Sequence, residues 1–294
     1  MASSKASEIT QAEKEEQQRA RTFNGLTARE WTRMSRNVWD DLSSPRDKRH
    51  LEHGAVFPLK LAERCVTLYS GADDLVCDPF LGVGTTVVAA SRLGRRGVGI
   101  ELNPRFAAIA EEWVEEDSSL LSPESAPTII NGDCREQLGS IEPDSVQLTV
   151  TSPPYADFIR RSVEDRKKTH KTSRIVAHNN STVKPYSDDP RDLGNLDYAK
   201  FIPACREVLE PLLKATKPGG YAVWVVKDHR LPPELPYVPV SSDLARAAID
   251  VGWLWHDMIV WNQNEQRSLV LLGYPSRFYT NQNCSFLVVL RKPE

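Results

Sequence analysis

The stretch Leu75-Val76-Cys77-Asp78-Pro79-Phe80-Leu81-Gly82-Val83-Gly84-Thr85-Thr86 decides the fold. An apolar, β-prone run ends in an acid, a turn with two glycines follows, and Thr85 to Leu93 carries helical spacing. Glycines at 82 and 84 permit a tight turn and let a ligand approach the backbone at the carboxyl end of a strand. Taken alone, such a turn also fits an ordinary strand-to-helix bend. Position 87 is Val, so the GxGxxG pattern of a dinucleotide site is not completed, and the turn suits a nucleoside better than a phosphate.

Working outward, a helical pattern precedes the stretch from Val56 to Tyr69 and stops at Ser70-Gly71. Downstream, β-rich runs at Arg96 to Ile100, Thr128 to Ile130 and Val146 to Val150 enclose a helical pattern at Pro104 to Val114. The alternation resumes with a helix Tyr198 to Ala215, a strand Tyr221 to Val226, a helix Asp243 to Val251 and strands Met258 to Trp261 and Ser285 to Leu290. Alternating strands and helices predict an α/β fold, a parallel sheet with helices on both faces. Residues 1–22 are polar and are expected to be a flexible tail, with one domain over 23–294. Leu231 to Pro239, with four prolines, is expected to be a loop.

Composition narrows the function. The chain has 294 residues and a net charge of −3, which by itself points to no nucleic acid. No apolar run reaches about 18 residues and the polar start has no cleavable apolar core, so a spanning or secreted protein is not expected. Five scattered cysteines without a CxxC pair predict neither a zinc site nor a disulfide framework, and fit a reducing cytoplasm.

Three successive strand ends carry acids: Asp78, Glu101 in Gly99-Ile100-Glu101-Leu102-Asn103, and Asp133 in Asn131-Gly132-Asp133-Cys134. In a doubly wound sheet the second of these, about twenty residues after the turn, sits where a ribose diol is held. The fourth strand ends in Thr151-Ser152-Pro153-Pro154-Tyr155, where two prolines stiffen an extended backbone and leave carbonyl acceptors beside a hydroxyl and an aromatic ring. That combination can hold a planar group bearing an NH2, or can be a rigid turn only. Between 157 and 195 the alternation breaks in a stretch rich in Arg and Lys.

In this order, DPFLGVGTT, GIELNP, NGD and TSPPY resemble the motifs of S-adenosylmethionine-dependent DNA amino-methyltransferases. The segment His53 to Pro58 with the helix Leu59 to Tyr69 resembles the family's element around the methionine end of the cofactor. The resemblance covers roughly residues 37–292. Two departures stand out: the cofactor half precedes the catalytic half, where many members with this glycine loop have the reverse order, and target choice is expected from loops. The family implies a Rossmann-like class I fold, a seven-stranded, mostly parallel sheet with its last strand antiparallel.

The resemblance implies a cofactor set of His53, Phe57, Asp78, Pro79, Phe80, Gly82, Gly84 and Thr85, with Glu101 and Leu102 at the ribose and Asp133 and Cys134 at the adenine. Ser152, Pro153, Pro154 and Tyr155 would form the catalytic turn, the hydroxyl and a proline carbonyl accepting the amino hydrogens and the ring stacking on a flipped base. Arg160, Arg161, Arg166, Lys167, Lys168, Lys171 and Arg174 would contact phosphates, with His170 or Asn179-Asn180 at base edges, unless this is simply a solvated loop. Ser at the head of the motif is associated in the family mainly with cytosine, so the reading favoured is N4 methylation of cytosine in DNA. N6-adenine methylation and a nucleic-acid-binding subunit without catalysis are the alternatives. Expected partners are double-stranded DNA and a cognate restriction endonuclease, with no metal and no membrane, in the cytoplasm of a bacterium or from a phage, associated with the nucleoid. His229 reads as a loop histidine, and Trp253, Trp255 and Trp261 as core or sheet-edge aromatics.

Overall fold

A computed structural model describes residues 10–42, 48–53, 56–117, 126–154, 187–230, 236–265, 280 and 282–294. It opens with two short polar helices, Gln11–Arg19 (α1) and Ala28–Met34 (α2), neither of which buries a residue. Each begins with a reciprocal capping box, Thr10 with Glu13 and Thr27 with Glu30, which satisfies helix-end N–H groups that no packing covers. Arg19 joins the two by donating to the Gly25 carbonyl and pairing with Glu30. Part of the expected tail is therefore helical.

The elements that follow are Val38–Trp39 (β1), Lys48–His53 (α3), Leu59–Tyr69 (α4), Leu75–Asp78 (β2), Thr85–Arg92 (α5), Arg96–Glu101 (β3), Pro104–Asp117 (α6), Thr128–Asn131 (β4), Cys134–Gln137 (α7) and Val146–Thr151 (β5). Then come Tyr198–Ala215 (α8), Thr216–Val226 (β6), a small hairpin of His229–Arg230 (β7) with Tyr237–Val238 (β8), Val240–Val251 (α9), Leu254–Asn262 (β9) and Cys284–Arg291 (β10). The main sheet runs β1-β9-β10-β6-β5-β2-β3-β4, parallel throughout except β10, which is antiparallel to both neighbours. The strand-helix alternation predicts this parallel sheet with helices on both faces, and its Rossmann-like arrangement is the one the resemblance implies. Helices α8 and α9 pack on one face around Trp224 and Trp253, while α4 and α5 cover the other around Val76, Leu148 and Leu287.

Three expectations need correction. Among the described residues the sheet has eight strands, not seven, because Val38–Trp39 joins the β9 edge in parallel register with Val260 and Trp261. Two residues are too few to show a period. The pairing is stabilised instead by burial of Trp39, whose Nε1 donates to the Arg36 carbonyl. Within the proline-rich stretch, Tyr237–Val238 forms a strand, since its two residues lie between prolines and keep their N–H groups. Trp253 and Trp261 are core residues as expected, whereas Trp255 is exposed. The helix expected from Val56 begins at Leu59, after Pro58 holds the chain extended.

Strand order reverses between β2 and β5, and all that precedes serves to place their carboxyl ends side by side. The turn after β2 lies flat on β3: the Leu81 N–H donates to the Ile100 carbonyl, and the Leu81 side chain occupies the space over Gly99. A Cβ at Gly99 would stand 2.5 Å from Leu81 Cδ1. Gly99→Ala is therefore expected to destabilise the fold by about 1–3 kcal/mol through overpacking, measured as a lower midpoint in denaturant unfolding.

Candidate functional site

A cleft opens at the point of strand reversal. Its floor is made by successive strand ends: Pro79 and Phe80 after β2, Glu101 to Asn103 after β3, Gly132 to Cys134 after β4 and Ser152 to Pro154 after β5. His53 and Phe106 close one side, their rings 4.6 Å apart, and Ser187 with Arg191 to Leu193 close another.

The acids at the three strand ends do different work. Asp78 is buried and does not face the cleft. It accepts from Phe80 N at 3.0 Å, Thr151 Oγ1 at 2.6 Å and Thr86 Oγ1 at 2.7 Å, so it ties β2 to β5 and to the first turn of α5. Burial pushes its carboxyl up to about 6 against these donors. The expectation that Asp78 flanks a ligand is thus replaced by that of a strut beneath the turn, with Pro79 and Phe80 presenting the surface.

Glu101 does line the cleft, and its carboxylate bridges two backbone segments. Oε2 accepts from Gly82 N at 2.7 Å and Oε1 from Asn103 N at 2.8 Å. A carboxylate has about four acceptor positions, so each oxygen keeps one for a ligand hydroxyl. Burial raises Glu101 to about 7 despite those two N–H donors, and the Asp78 and Asp192 carboxylates push it the same way. Gly82, at φ +57°, makes this bridge with His53 Nε2 3.2 Å from where a Cβ would lie, so a side chain there would be strained in its backbone and would press on the ring. Gly84, at φ +101°, caps α5 and abuts Ala110. Gly82, Gly84 and Thr85 therefore shape the turn from behind, and Phe57 sits in the core outside the cleft.

Asp133 caps α7 through Arg135 N and is gripped by the Arg135 guanidinium. Burial pushes its carboxyl up, but the Arg135 hydrogen bonds outweigh that and hold it below the ordinary carboxylate range. Cys134 is buried against the core with its thiol pushed well up by desolvation, which suits a contact surface and not a nucleophile. Ser152 is half-buried on the cleft, and its hydroxyl has no partner among the described residues. Pro153 is buried beside it.

Structure thus brings together His53, Pro79, Phe80, Glu101, Leu102, Asp133, Cys134, Ser152, Pro153 and Pro154 around one space. Tyr155, Arg160, Arg161, Arg166, Lys167, Lys168, Lys171 and Arg174, like His170 and Asn179, lie outside the described residues. Sequence reading missed Asn103, Phe106, Gly132, Ser187, Arg191, Asp192 and Leu193. Asn103 and Gly132 stand within motifs already quoted. Ser187 to Asn195 fell in the irregular basic stretch, yet it is a compact turn in which Asp192 accepts from Gly194 N and Ser187 Oγ; an Asp two residues before Gly is its only sequence mark. His229 is buried with its pKa lowered by desolvation, and does not line the cleft. Among the described residues no cluster of three His, Cys, Asp or Glu could hold a metal ion, and no helix is long and apolar enough to cross a membrane.

A partly apolar cleft with a two-pronged acceptor at its centre and a second carboxylate beyond fits a ribonucleoside. Its affinity should follow the charge of Glu101, since an ionised carboxylate accepts both diol hydroxyls and a protonated one cannot. Binding is expected to weaken by up to about tenfold per pH unit below about 7 and to level off above it, which calorimetry across that range would check.

Comparison with known proteins finds similarity over part of the chain. Residues 2–112, which contain the glycine turn and Glu101, match a family model described as DNA methylase, N6_N4_Mtase. The type II methyltransferase M.MthZI of Methanothermobacter thermautotrophicus is 32% identical over 151 residues, 49% of this chain and 42% of that protein. The type II methyltransferase M.BglI of Bacillus subtilis is 37% identical over 93 residues, 31% of this chain and 26% of its own length. The chain thus aligns with less than half the length of these curated relatives. The crystal structure of TrmN from Thermus thermophilus aligns with 85% of this chain and 55% of that one at 16% identity, with a TM-score of 0.49.

Proposed function

Because the chain is related in sequence to the S-adenosylmethionine-dependent DNA amino-methyltransferases, we propose that it transfers a methyl group from S-adenosylmethionine to the exocyclic N4 amino group of cytosine in DNA. The observation that carries this reading is the placement of Ser152, Pro153 and Pro154 on the same cleft as Glu101. A diol-binding carboxylate and an amino-group acceptor then serve two ligands in one space.

When bound, S-adenosylmethionine supplies an electrophilic methyl on a cationic sulfur. Glu101 accepts the ribose hydroxyls, Asp133 accepts the adenine amino group, and Pro79 and Phe80 provide apolar walls. Asp78 holds the turn against β5 through Thr151, the residue before Ser152, so the two halves of the site are tied at one carboxylate. The amino group of a base is a weak nucleophile because its lone pair is delocalised into the ring. Ser152 Oγ and the Pro153 carbonyl accept its two hydrogens and orient the nitrogen toward the methyl carbon. Forming the N–C bond would break the S–C bond with its electron pair left on sulfur, and the nitrogen would release one proton to water. The base reaches this pocket only outside the duplex, so flipping of the target belongs to the proposal. Tyr155 would stack on the flipped base, and the basic residues from Arg160 to Arg174 would neutralise phosphates. Ser at position 152 favours cytosine over adenine. A cognate endonuclease and a cytoplasmic location are part of the same proposal.

The test is transfer of labelled methyl to unmodified DNA followed by nucleoside analysis. Label in N4-methylcytosine supports the proposal, label in N6-methyladenine replaces the base, and label in neither contradicts the activity. Ser152→Ala is expected to lower turnover by at least about tenfold while cofactor affinity changes less than about twofold, because its hydroxyl orients only the target amino group.

A further inference from the structure

Arg135 does not line the cleft, yet two of the cleft's walls meet in its side chain. Nε donates to Asp133 Oδ1 at 3.0 Å and Nη2 to Asp133 Oδ2 at 2.5 Å, a bidentate pairing reinforced by Arg135 N on Oδ1. The second hydrogen of Nη2 reaches the Arg191 carbonyl at 3.0 Å, and Nη1 faces Glu207 of α8 at 3.4 Å. Arg191 belongs to the turn Ser187 to Asn195, which bonds chiefly within itself: the Arg191 side chain turns back to Asp189, Asn195 Nδ2 donates to the Ser187 and Asp189 carbonyls, and Leu193 is anchored in the core. Arg135 is thus a fork from which the strand-end acid and the wall beside it are both held.

We propose that Arg135 is a positioning residue for the adenine of the cofactor, holding the Asp133 carboxylate and the Arg191 carbonyl so that the pocket accepts an amino group and rejects a keto oxygen. The inference rests on the methyltransferase reading above. Its physical basis is the state of Asp133. A carboxylate this buried would gain by taking up a proton, and a protonated Asp133 could donate to a keto oxygen as readily as accept from an amino group. Oδ1 is taken up by Arg135 N and Nε, so the planar guanidinium leaves Oδ2, which also holds Nη2, as the oxygen with a position for an amino hydrogen, and fixes its direction. The third contact holds the neighbouring wall at a set distance. Lysine would preserve the charge but could not make the fork.

The test compares binding of S-adenosylhomocysteine with that of its inosine analogue, which carries a keto oxygen where adenine has its amino group, to the full chain. A site built on an obligate acceptor should prefer the adenine form strongly in the wild type. R135A is expected to weaken the adenine form and to reduce the adenine-to-inosine preference by at least about threefold, since the Asp133 carboxylate and the Arg191 carbonyl then lose the bonds that fix their direction. A variant that merely loosened the fold would weaken both ligands alike and leave the ratio in place. R135K is measured in parallel and carries the test should R135A not fold; it too is expected to lose preference. A preference within about threefold of wild type in the folded variants overturns the role of Arg135. Absence of binding of either ligand to the wild-type chain would instead remove the cofactor reading, and this inference with it.

Discussion

The Glu101 carboxylate is the contact on which the site depends. It sits at the end of β3, accepts Gly82 N from the turn after β2 and Asn103 N from the turn before α6, and still faces the cleft. Two turns from different parts of the chain are therefore held at one hydrogen-bonding distance from the group that would meet the ligand. The surrounding packing follows from this need for close approach. Gly82 lets His53 lie over the turn, Gly99 gives Leu81 its place, and the Leu81 N–H reaches the Ile100 carbonyl one residue before Glu101.

Charge is arranged with the same economy. Asp78 and Asp192 repel Glu101, and the three strand-end acids are each handled differently. Asp78 is buried under three donors and raised to about 6, Glu101 is held by two backbone N–H groups and raised to about 7, and Asp133 is paired with Arg135 and lowered. The acids with the raised values lie nearest the glycine turn, where a cationic ligand would favour their charged forms and so gain affinity from them. Binding of a sulfonium compound, as proposed, would thus be coupled to ionisation of the site.

Much of this was legible in the sequence because it is periodic or local. The strand runs, the glycine turn, the acids at strand ends and the Ser152-Pro153-Pro154 turn are each carried by contiguous residues, and the alternation forces them to one edge of the sheet. What escaped is long-range or aperiodic. Val38–Trp39 is a strand only because β9 offers it an edge. That Asp78 points inward depends on Thr151, far along the chain, and the turn Ser187 to Asn195 becomes a cleft wall only through Arg135 and the burial of Leu193. No spacing rule in one chain encodes such contacts, which arise when the elements pack.

The central claim, that a nucleoside methyl donor occupies this cleft through Glu101, is tested most directly by amide hydrogen exchange with and without S-adenosylmethionine. The Gly82 and Asn103 N–H groups are bonded to Glu101, whose carboxylate the ligand would lock in place. The account predicts that exchange slows on ligand addition at Gly82, Leu102 and Asn103 and in the turn Gly132 to Arg135. Unchanged exchange at these amides under saturating ligand, with protection appearing instead around the hairpin of β7 and β8, would contradict it.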